Sequence, residues 1–336
     1  MLPPTRATQL LFGDEKQRAP FAQEASFCLD ALITAGVVHG LDGPIPSTIE
    51  DFWKPGGGIA ALPRRQHGIS SQIVLHKFRD WFGTANLKDK QRIVSSSASK
   101  AGLWLTTYPS LPELSLVDDY FLLAVKHRLG VQPMNDLPDT CTCTANLAGD
   151  SQHFFSCKKL KRKAMTVRHD AIVRLLRDAF HHVGAVVHVE PRLYDTERVR
   201  PDLDILLPDQ NVMIDVAVTH PGAPCRKTEY ALAAANDLQS IKNKKYGDWA
   251  TQRGGRFLPF VLETHGALGK QADAVLKLLA KVASHSSAVL SVTDFLKEFK
   301  QKLSVTLQRG NALVAKLGAV NSRAAAAAAQ RASRLR

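Results

Sequence analysis

Hydrophobic residues follow two different spacings in the second half of the chain, and the order of these spacings predicts a mixed α/β core. Apolar residues that recur every three or four positions predict a helix, and apolar residues that alternate with polar ones predict a strand. Gly184 is placed to end the first of these helices. The predicted elements are a helix at 170–183, strands at 185–193, 199–207 and 211–219, a helix at 226–251, and a strand at 256–263.

Helical spacing dominates the regions on either side of this core. Before it, apolar stripes at residues 21–38, 69–82 and 115–129 predict helices, and the Gly/Pro-rich stretch 54–58 predicts a loop. After it, residues 271–317 predict two further amphipathic helices. The chain ends in a stretch rich in alanine and arginine, which we expect to be a basic tail that frays even if it is helical.

The charge of the chain favours a polyanionic partner. Its 336 residues include 44 Lys and Arg against 31 Asp and Glu, a formal net charge of +13, which is typical of proteins that contact nucleic acid. No stretch approaches the roughly 20 apolar residues of a membrane helix, and the first residues lack the apolar core of a secretory signal. The odd number of cysteines, with Cys28 and Cys225 isolated, favours a reducing compartment over a disulfide scaffold.

One group of cysteine and histidine residues has the spacing of a zinc site. Cys141, Cys143, His153 and Cys157 follow the pattern C-x-C-x9-H-x3-C. Three thiolates and an imidazole can close a tetrahedral structural site around Zn2+, and such a small module folds only with its metal. The alternative is an accidental grouping. The spacing favours a zinc knuckle.

A run of basic residues follows the knuckle directly. We predict that it holds a phosphate backbone, whereas the plainer alternative is a solvated helix face. The residues predicted to contact nucleic acid are Lys158, Lys159, Lys161, Arg162, Lys163 and Arg168, together with Lys227 further along the chain.

Two aspartates of the predicted core have the spacing of a metal-dependent active site. Twelve residues separate Asp202 from Asp215, and a tight turn at 208–211 makes their strands antiparallel neighbours. Because side chains alternate along a strand, Asp215 faces away from the buried valines beside it, on the side to which Asp202 projects. Such carboxylates suit Mg2+ (or Mn2+), which activates water for phosphodiester hydrolysis. Glu190, on the first strand, is predicted to assist as a third carboxylate.

These features together resemble a known family. The element order and the P-D-x12-D spacing look like the PD-(D/E)xK restriction-endonuclease superfamily. More narrowly, about residues 95–320 resemble the C-terminal region of non-LTR retrotransposon reverse-transcriptase polyproteins that carry a restriction-like endonuclease. The matching stretches, beside the knuckle, are AGLWL at 101–105, RHD at 168–170, VEP at 189–191, RPDL at 200–203, DVAV at 215–218 and HP at 220–221.

The resemblance implies an α/β fold with an αβββαβ restriction-endonuclease-like core, and nicking of target DNA to prime reverse transcription. DNA is the implied partner, with RNA as an alternative. The predicted parts are a mainly helical region at 1–135 that is a remnant of a polymerase thumb and linker, the zinc knuckle and basic run at 138–163, the nuclease-like domain at 165–270, C-terminal helices at 271–320, and the basic tail at 321–336.

The lysine of the superfamily pattern is missing from its usual place. That pattern puts it two positions after the second acidic residue, where this chain has Ala217. The resemblance implies that a lysine on the following helix replaces it to stabilise the charged phosphate. That helix offers Lys227, Lys242, Lys244 and Lys245; we favour Lys244 and Lys245 as catalytic, with Lys227 next, and the alternative is that these lysines only bind phosphate.

Three functions remain open at this point. The first is an active Mg2+-dependent DNA endonuclease with catalytic Asp202, Asp215 and Glu190. The second, favoured by Ala217, is an inactive or domesticated nucleic-acid-binding remnant. The third is a repair nuclease that resembles Holliday-junction resolvases. All three have a nucleic-acid partner, so we expect a nuclear location.

Overall fold

The computed structural model describes residues 65–334, except for positions 162, 192–199 and 229. The predicted helix at 21–38 and the loop at 54–58 lie outside the described residues. The chain divides into two compact units, at 1–85 and 86–336. The described part of the first unit contains α1 (Arg65–Thr84), which confirms the helix predicted at 69–82.

The second unit has a mixed α/β fold with a four-stranded sheet, as predicted. The predicted order of helix, three strands, helix and strand runs from a helix at Ala164–His182 to a strand at Gly255–Glu263. Among the described residues, no helix combines the length and apolar character needed to cross a membrane. The helices and strands of the second unit are α2 (Leu87–Ser96), α3 (Leu103–Thr106), α4 (Asp118–Leu129), α5 (Ala164–His182), β1 (Val186–Val189), β2 (Leu203–Leu206), β3 (Asn211–Thr219), α6 (Ala233–Gln252), β4 (Gly255–Glu263), α7 (Lys270–Ala283) and α8 (Val292–Arg334).

The sheet has the strand order β1-β2-β3-β4. The first three strands are antiparallel, and the chain turns tightly between β2 and β3, where Leu207 and Gln210 exchange backbone hydrogen bonds. β3 and β4 are parallel, so α6 serves as the crossover that parallel neighbours require. β3 is thus a central strand with an antiparallel neighbour, β2, on one side and a parallel neighbour, β4, on the other.

The two faces of β3 have different neighbours, as its alternating pattern predicts. Val212, Ile214 and Val216 are buried in the main core with side chains of α5, α7 and α8. Met213 points to the opposite face and packs with Tyr246 of α6. Because side chains alternate along a strand, Asp215 faces α6 as Met213 does.

The last helix joins two cores. Near its start, Phe299, Leu303 and Leu307 pack into the core of the sheet. Further along, Ala312 and Ala319 pack in a second core with Cys141 and Cys157, which belong to the segment 138–163, called the Cys/His segment below. The predicted basic tail is part of α8, which continues as helix to Arg334, because its sequence is rich in alanine, the residue with the highest intrinsic helix propensity.

Three elements of the α/β core are shorter than predicted. The strand predicted at 199–207 is β2, which covers only Leu203–Leu206. β1 ends at Val189, since Glu190 has a backbone φ of 40°, which breaks the extended conformation. α6 begins at Ala233 rather than at 226, after a turn-rich stretch that ends at Leu232 with a φ of 61°. The later start of α6 changes which lysines can belong to it.

The turn after β4 requires a glycine at position 266. Gly266 has a φ of 104°, and an added Cβ would lie 2.7 Å from the carbonyl oxygen of Ala101. We expect Gly266→Ala to lower the free energy of unfolding by about 2–4 kcal/mol, from backbone strain and overlap together. Chemical denaturation measures this. Gly247→Ala on α6 is the matched control, because nothing lies within 4 Å of its added Cβ. Equal stability of both variants would contradict the prediction.

Candidate metal centre and acidic site

The four predicted zinc ligands come together in one cluster. The ligand atoms of Cys141, Cys143, His153 and Cys157 all lie within 4.8 Å of one another. Sγ of Cys141 is 3.8 Å from Sγ of Cys157, and Sγ of Cys143 is 3.3 Å from Nε2 of His153. Tetrahedral zinc with Zn–S bonds of about 2.3 Å requires sulfur–sulfur separations of about 3.8 Å. The predicted grouping is therefore confirmed, and the cluster could bind zinc.

Short turns rather than long helices position these ligands. A tight hairpin carries Cys141 and Cys143: its ends pair at Thr140 and Asn146, and the backbone N–H of Cys141 donates to the carbonyl oxygen of Ala145 at 2.9 Å. His153 begins a short 3-10 turn, and Cys157 directly precedes another. Such small turns have little core of their own, so packing against α8 stabilises them, and a bound metal ion would stabilise them further.

The basic residues after the cluster differ in their exposure. Lys158, Lys159, Lys161 and Lys163 are exposed, whereas Arg162 lies outside the described residues. Arg168 is buried on α5, where it donates a 2.7 Å hydrogen bond to Oδ1 of Asn311 and burial lowers its pKa to about 10. Its guanidinium is therefore buried inside the protein and is not exposed to a phosphate backbone, contrary to the prediction.

Asp202 and Asp215 lie beside each other where β2 begins. Leu203 pairs with Ile214 across the two strands, so extending the register by one position places Asp202 opposite Asp215. Oδ2 of Asp202 accepts a 2.6 Å hydrogen bond from the backbone N–H of Val216. Burial raises the pKa of Asp215, and the charge of Asp202 raises it further. The two carboxylates are therefore close enough to repel each other.

A lysine from α6 reaches this pair. Nζ of Lys242 is 2.5 Å from Oδ2 of Asp215. Tyr246, one helical turn further on, lies near Asp215, and its hydroxyl donates a 3.2 Å hydrogen bond to the carbonyl oxygen of Arg200. Lys242 and Tyr246 share one face of α6 because they are four residues apart.

The structure thus places Lys242, not the favoured Lys244 or Lys245, against the carboxylates. Lys244 is exposed, since two residues correspond to about 200° around a helix and turn it away from the side on which Lys242 lies. Nζ of Lys245 is 3.0 Å from the hydroxyl of Tyr246 and so borders the site without contacting Asp215. Lys227 is exposed in the loop before α6.

His169 is a member of the site that the sequence reasoning did not single out. Its Nε2 lies 3.1 Å from Oδ2 of Asp202 and 3.1 Å from the carbonyl oxygen of Val216, and its Nδ1 lies 3.1 Å from Oδ1 of Asp170. Burial lowers the pKa of His169, but its hydrogen bonds to Asp202 and Asp170 outweigh burial and raise the pKa to about 9. The ring is therefore a cation at pH 7. The stretch Arg168-His169-Asp170 was the feature of the sequence that could have indicated His169 as a site residue.

Glu190 and Asp204 are two further acidic residues near the pair. Among the described residues, neither carboxylate forms a hydrogen bond with Asp202 or Asp215. Glu190 is linked to the site through its backbone, whose N–H donates to the carbonyl oxygen of Asp202 at 2.9 Å, and its side chain is exposed. Asp204 is 4% exposed on β2, and burial raises its pKa, an effect that the neighbouring His188 partly offsets. The structure therefore leaves Asp202 and Asp215 as the paired carboxylates.

Comparison with known proteins relates the chain to a mobile element. No protein-family model matches it. It is 27% identical over 243 residues to the retrotransposable element SLACS 132 kDa protein of Trypanosoma brucei gambiense. The similarity covers 69% of this chain but 20% of that protein, so the chain spans about a fifth of the length of this relative. The chain is thus similar, at low identity, to a protein of a retrotransposable element.

Proposed function

We propose that this chain is a metal-dependent DNA endonuclease of retrotransposon origin. The observation that carries the proposal is the group formed by Asp202, Asp215 and Lys242, in which the carboxylates of Asp202, just before β2, and of Asp215, on β3, lie close to a lysine from the following helix. It supplies the residue types of the PD-(D/E)xK pattern although position 217 is alanine. The similarity to a retrotransposable-element protein supports the same origin.

The donor set at the pair fits a hard divalent cation. Carboxylate oxygens are the preferred ligands of Mg2+ and Mn2+, and one or two of them suffice for Mg2+. Burial and, after it, the charge of Asp202 raise the pKa of Asp215, and a cation bound by the pair would relieve the repulsion between the carboxylates. When bound, such a cation would activate water and neutralise charge that develops on the phosphate.

The surrounding residues prepare this site for hydrolysis. Lys242 brings a positive charge to the edge of the carboxylate pair, where it can stabilise the charge of the reacting phosphate. His169 and the N–H of Val216 both bind Oδ2 of Asp202 and so fix the orientation of that carboxylate. Tyr246 lies next to Asp215 on the helix side of the site. Asp202 and Asp215 are therefore held in place before substrate binds.

The Cys/His segment is proposed to position the DNA, as a module at 138–163 that precedes a nuclease domain at 165–270. Lys158, Lys159, Lys161 and Lys163 are exposed there and can neutralise phosphates. Phosphate contacts of this kind set register and orientation without reading sequence. Binding should accordingly weaken as salt is raised.

Substitution of single lysines tests which one serves the site. We expect Lys242→Ala to lower the rate of plasmid nicking by about 10²–10³-fold, the usual cost of removing one charge-stabilising donor. Lys244→Ala and Lys245→Ala are the matched controls on the same helix. We expect the nicking rate of each to stay within about fivefold of the parent rate, because exposed charged side chains usually contribute little. Initial rates with Mg2+ measure all three. A normal rate for Lys242→Ala would contradict the assignment.

The proposed activity itself is tested on supercoiled plasmid. We expect the purified chain to convert it to the nicked form with Mg2+ or Mn2+, and not without added metal. The rival function, a nucleic-acid-binding module that no longer cleaves, has one observation in its favour, the alanine at position 217. DNA binding without nicking under any of these metals would establish that rival and refute the nuclease.

A further inference from the structure

One face of α8 carries positive charge along most of the helix. Residues 299–334 include seven lysines and arginines and no aspartate or glutamate. An α-helix turns by about 100° per residue, so residues seven or eight positions apart lie on nearly the same face. Six of these seven cations fall within a sector of about 80°. They form what we call the basic face of α8: Lys302, Arg309, Lys316, Arg323, Arg331 and Arg334.

The start of the basic face is occupied by contacts within the protein. Nζ of Lys302 lies 2.7 Å from Oε1 of Glu298, one helical turn earlier. Arg309 donates a 2.6 Å hydrogen bond to the carbonyl oxygen of Ser115. The part of the face that is available to a partner therefore begins after these two cations.

Lys316 and Arg323, in the middle of the basic face, have exposed acidic neighbours. Nζ of Lys316 lies 3.7 Å from Oδ2 of Asp119, whose side chain is 78% exposed. Arg323 pairs with Asp136, whose side chain is 74% exposed. Exposed ion pairs of this kind contribute little to stability. Both cations can therefore exchange a carboxylate for another anion at small cost.

The end of the basic face is open to solvent. No residue from 323 to 334 is buried. Arg331 and Arg334 are exposed and form no ion pair with any residue that the structure describes. Residues 321–334 contain no large apolar side chain, whereas helices that lie on membranes carry such side chains opposite their charged face. A second copy of the same face is unsuited as well, because like charges repel each other. The open end therefore suits a polyanion in water.

The basic face borders the exposed lysines of the Cys/His segment. Leu160 packs in the same small core as Ala315 and Ala319 of α8. Lys159 and Lys161, on either side of Leu160, are exposed. Cations from two different segments therefore lie around one core, which favours a long polyanion over a small anion.

α5 connects this part of α8 with the acidic pair. Arg168 of α5 donates a 2.7 Å hydrogen bond to Oδ1 of Asn311 on α8. The next residue of α5, His169, lies 3.1 Å from Oδ2 of Asp202. The middle of α8 and the acidic pair are therefore on two sides of the same helix end, and a polymer at one of them can extend to the other.

We propose that the basic face of α8, from Lys316 to Arg334, binds the phosphate backbone of duplex DNA next to the acidic pair. The proposal rests on the proposed function, since that function makes DNA the polyanion. Lysine and arginine bind phosphates and fix the position of a duplex without reading its sequence. From Lys316 to Arg334 the helix rises about 27 Å, which corresponds to about eight base pairs of DNA. The basic face thus extends the contact with DNA beyond the acidic pair.

The salt dependence of DNA binding tests the basic face directly. Fluorescence anisotropy without added Mg2+ measures binding to a labelled blunt DNA duplex. We expect Arg331→Gln combined with Arg334→Gln to weaken binding roughly ten- to hundredfold at about 0.1 M salt, because each phosphate contact releases counterions. The slope of the logarithm of the binding constant against the logarithm of the salt concentration should become less steep by about 1.8, or about 0.9 for each lost contact.

A relocated variant separates the position of the charges from their number. It combines Arg331→Ala and Arg334→Ala with Ala329→Arg and Ala332→Arg. Its composition and net charge equal those of the parent chain, but each cation moves by about 200° around the helix. We expect this relocated variant to bind DNA as weakly as the glutamine variant does. Thermal unfolding of both variants should match that of the parent, because all four positions are exposed.

Lys277→Gln combined with Lys297→Gln is the matched control. Both lysines are exposed and lie outside the basic face, so binding should stay within about threefold of the parent. The proposal is overturned if the relocated variant binds as the parent does, if the glutamine variant keeps the affinity and salt slope of the parent, or if the parent does not bind the duplex. Weakened binding by both variants of a parent chain that never nicks plasmid would support the basic face and refute the nuclease.

Discussion

Asp215→Asn is expected to abolish DNA nicking, with the rate falling by at least about 10²–10³-fold. An amide lacks the negative charge that a hard cation requires and leaves Lys242 without its partner at 2.5 Å. Asp202→Asn should have a similar effect, because its Oδ2 is held toward the pair by the N–H of Val216. The initial rate of nicking of supercoiled plasmid with Mg2+ measures each variant against the parent chain.

The control for these variants is an exposed carboxylate on α6. Asp248→Asn also removes one negative charge, but Asp248 is exposed to solvent, so its nicking rate should equal that of the parent. Glu190→Gln tests the predicted assisting carboxylate, whose side chain is exposed, and we expect only a small effect. Because Asp215 is 4% exposed, thermal unfolding must show that its variant is folded. A folded Asp215→Asn chain that nicks at the parent rate would refute the assigned site.

Loss of zinc is expected to unfold the Cys/His segment. Structural zinc in small modules contributes about 10–16 kcal/mol of apparent binding free energy at pH 7, which is also free energy of folding. We therefore expect one zinc per chain in the parent protein, and none after Cys141→Ser, measured by native mass spectrometry. Limited proteolysis of the variant should cut within 138–163 while the sheet remains protected, because the main core is formed by other residues.

Cys225→Ser is the matched control for the zinc prediction. Cys225 is an exposed free cysteine that lies far along the chain from the cluster, so its substitution should leave the zinc content at one per chain. Unchanged zinc content after Cys141→Ser, or a parent chain that holds no zinc after purification in zinc-containing buffer, would refute the zinc centre.

The core of the fold could be predicted because its signals are local. Apolar alternation at 211–219 matches β3 residue for residue, and the C-x-C-x9-H-x3-C spacing matches a real cluster. The spacing of Asp202 and Asp215 in turn reflects a tight hairpin, whose register follows from its turn. Each of these features depends on residues near one another in the chain.

The missed features depend on contacts between distant segments. Lys242 could not be chosen over Lys244 from a helical pattern alone, because the start and rotation of α6 are set by its packing on the sheet. Arg168 was predicted to be an exposed cation that contacts phosphate, yet it is buried against Asn311, 143 residues later in the chain. His169 likewise meets Asp202 only after α5 packs on the sheet. Sequence spacing carries no information about such tertiary pairings.

Asp202 and Asp215 are proposed to hold one hard divalent cation together. Electron paramagnetic resonance of Mn2+ titrated into the zinc-loaded chain tests it most directly, because Mn2+ binding is counted without any need for catalysis. We expect a single strong Mn2+ site in the parent chain, lost in both Asp202→Asn and Asp215→Asn and retained in Asp248→Asn. A Mn2+ site that persists unchanged in the double variant of Asp202 and Asp215 would show that this pair does not bind the cation.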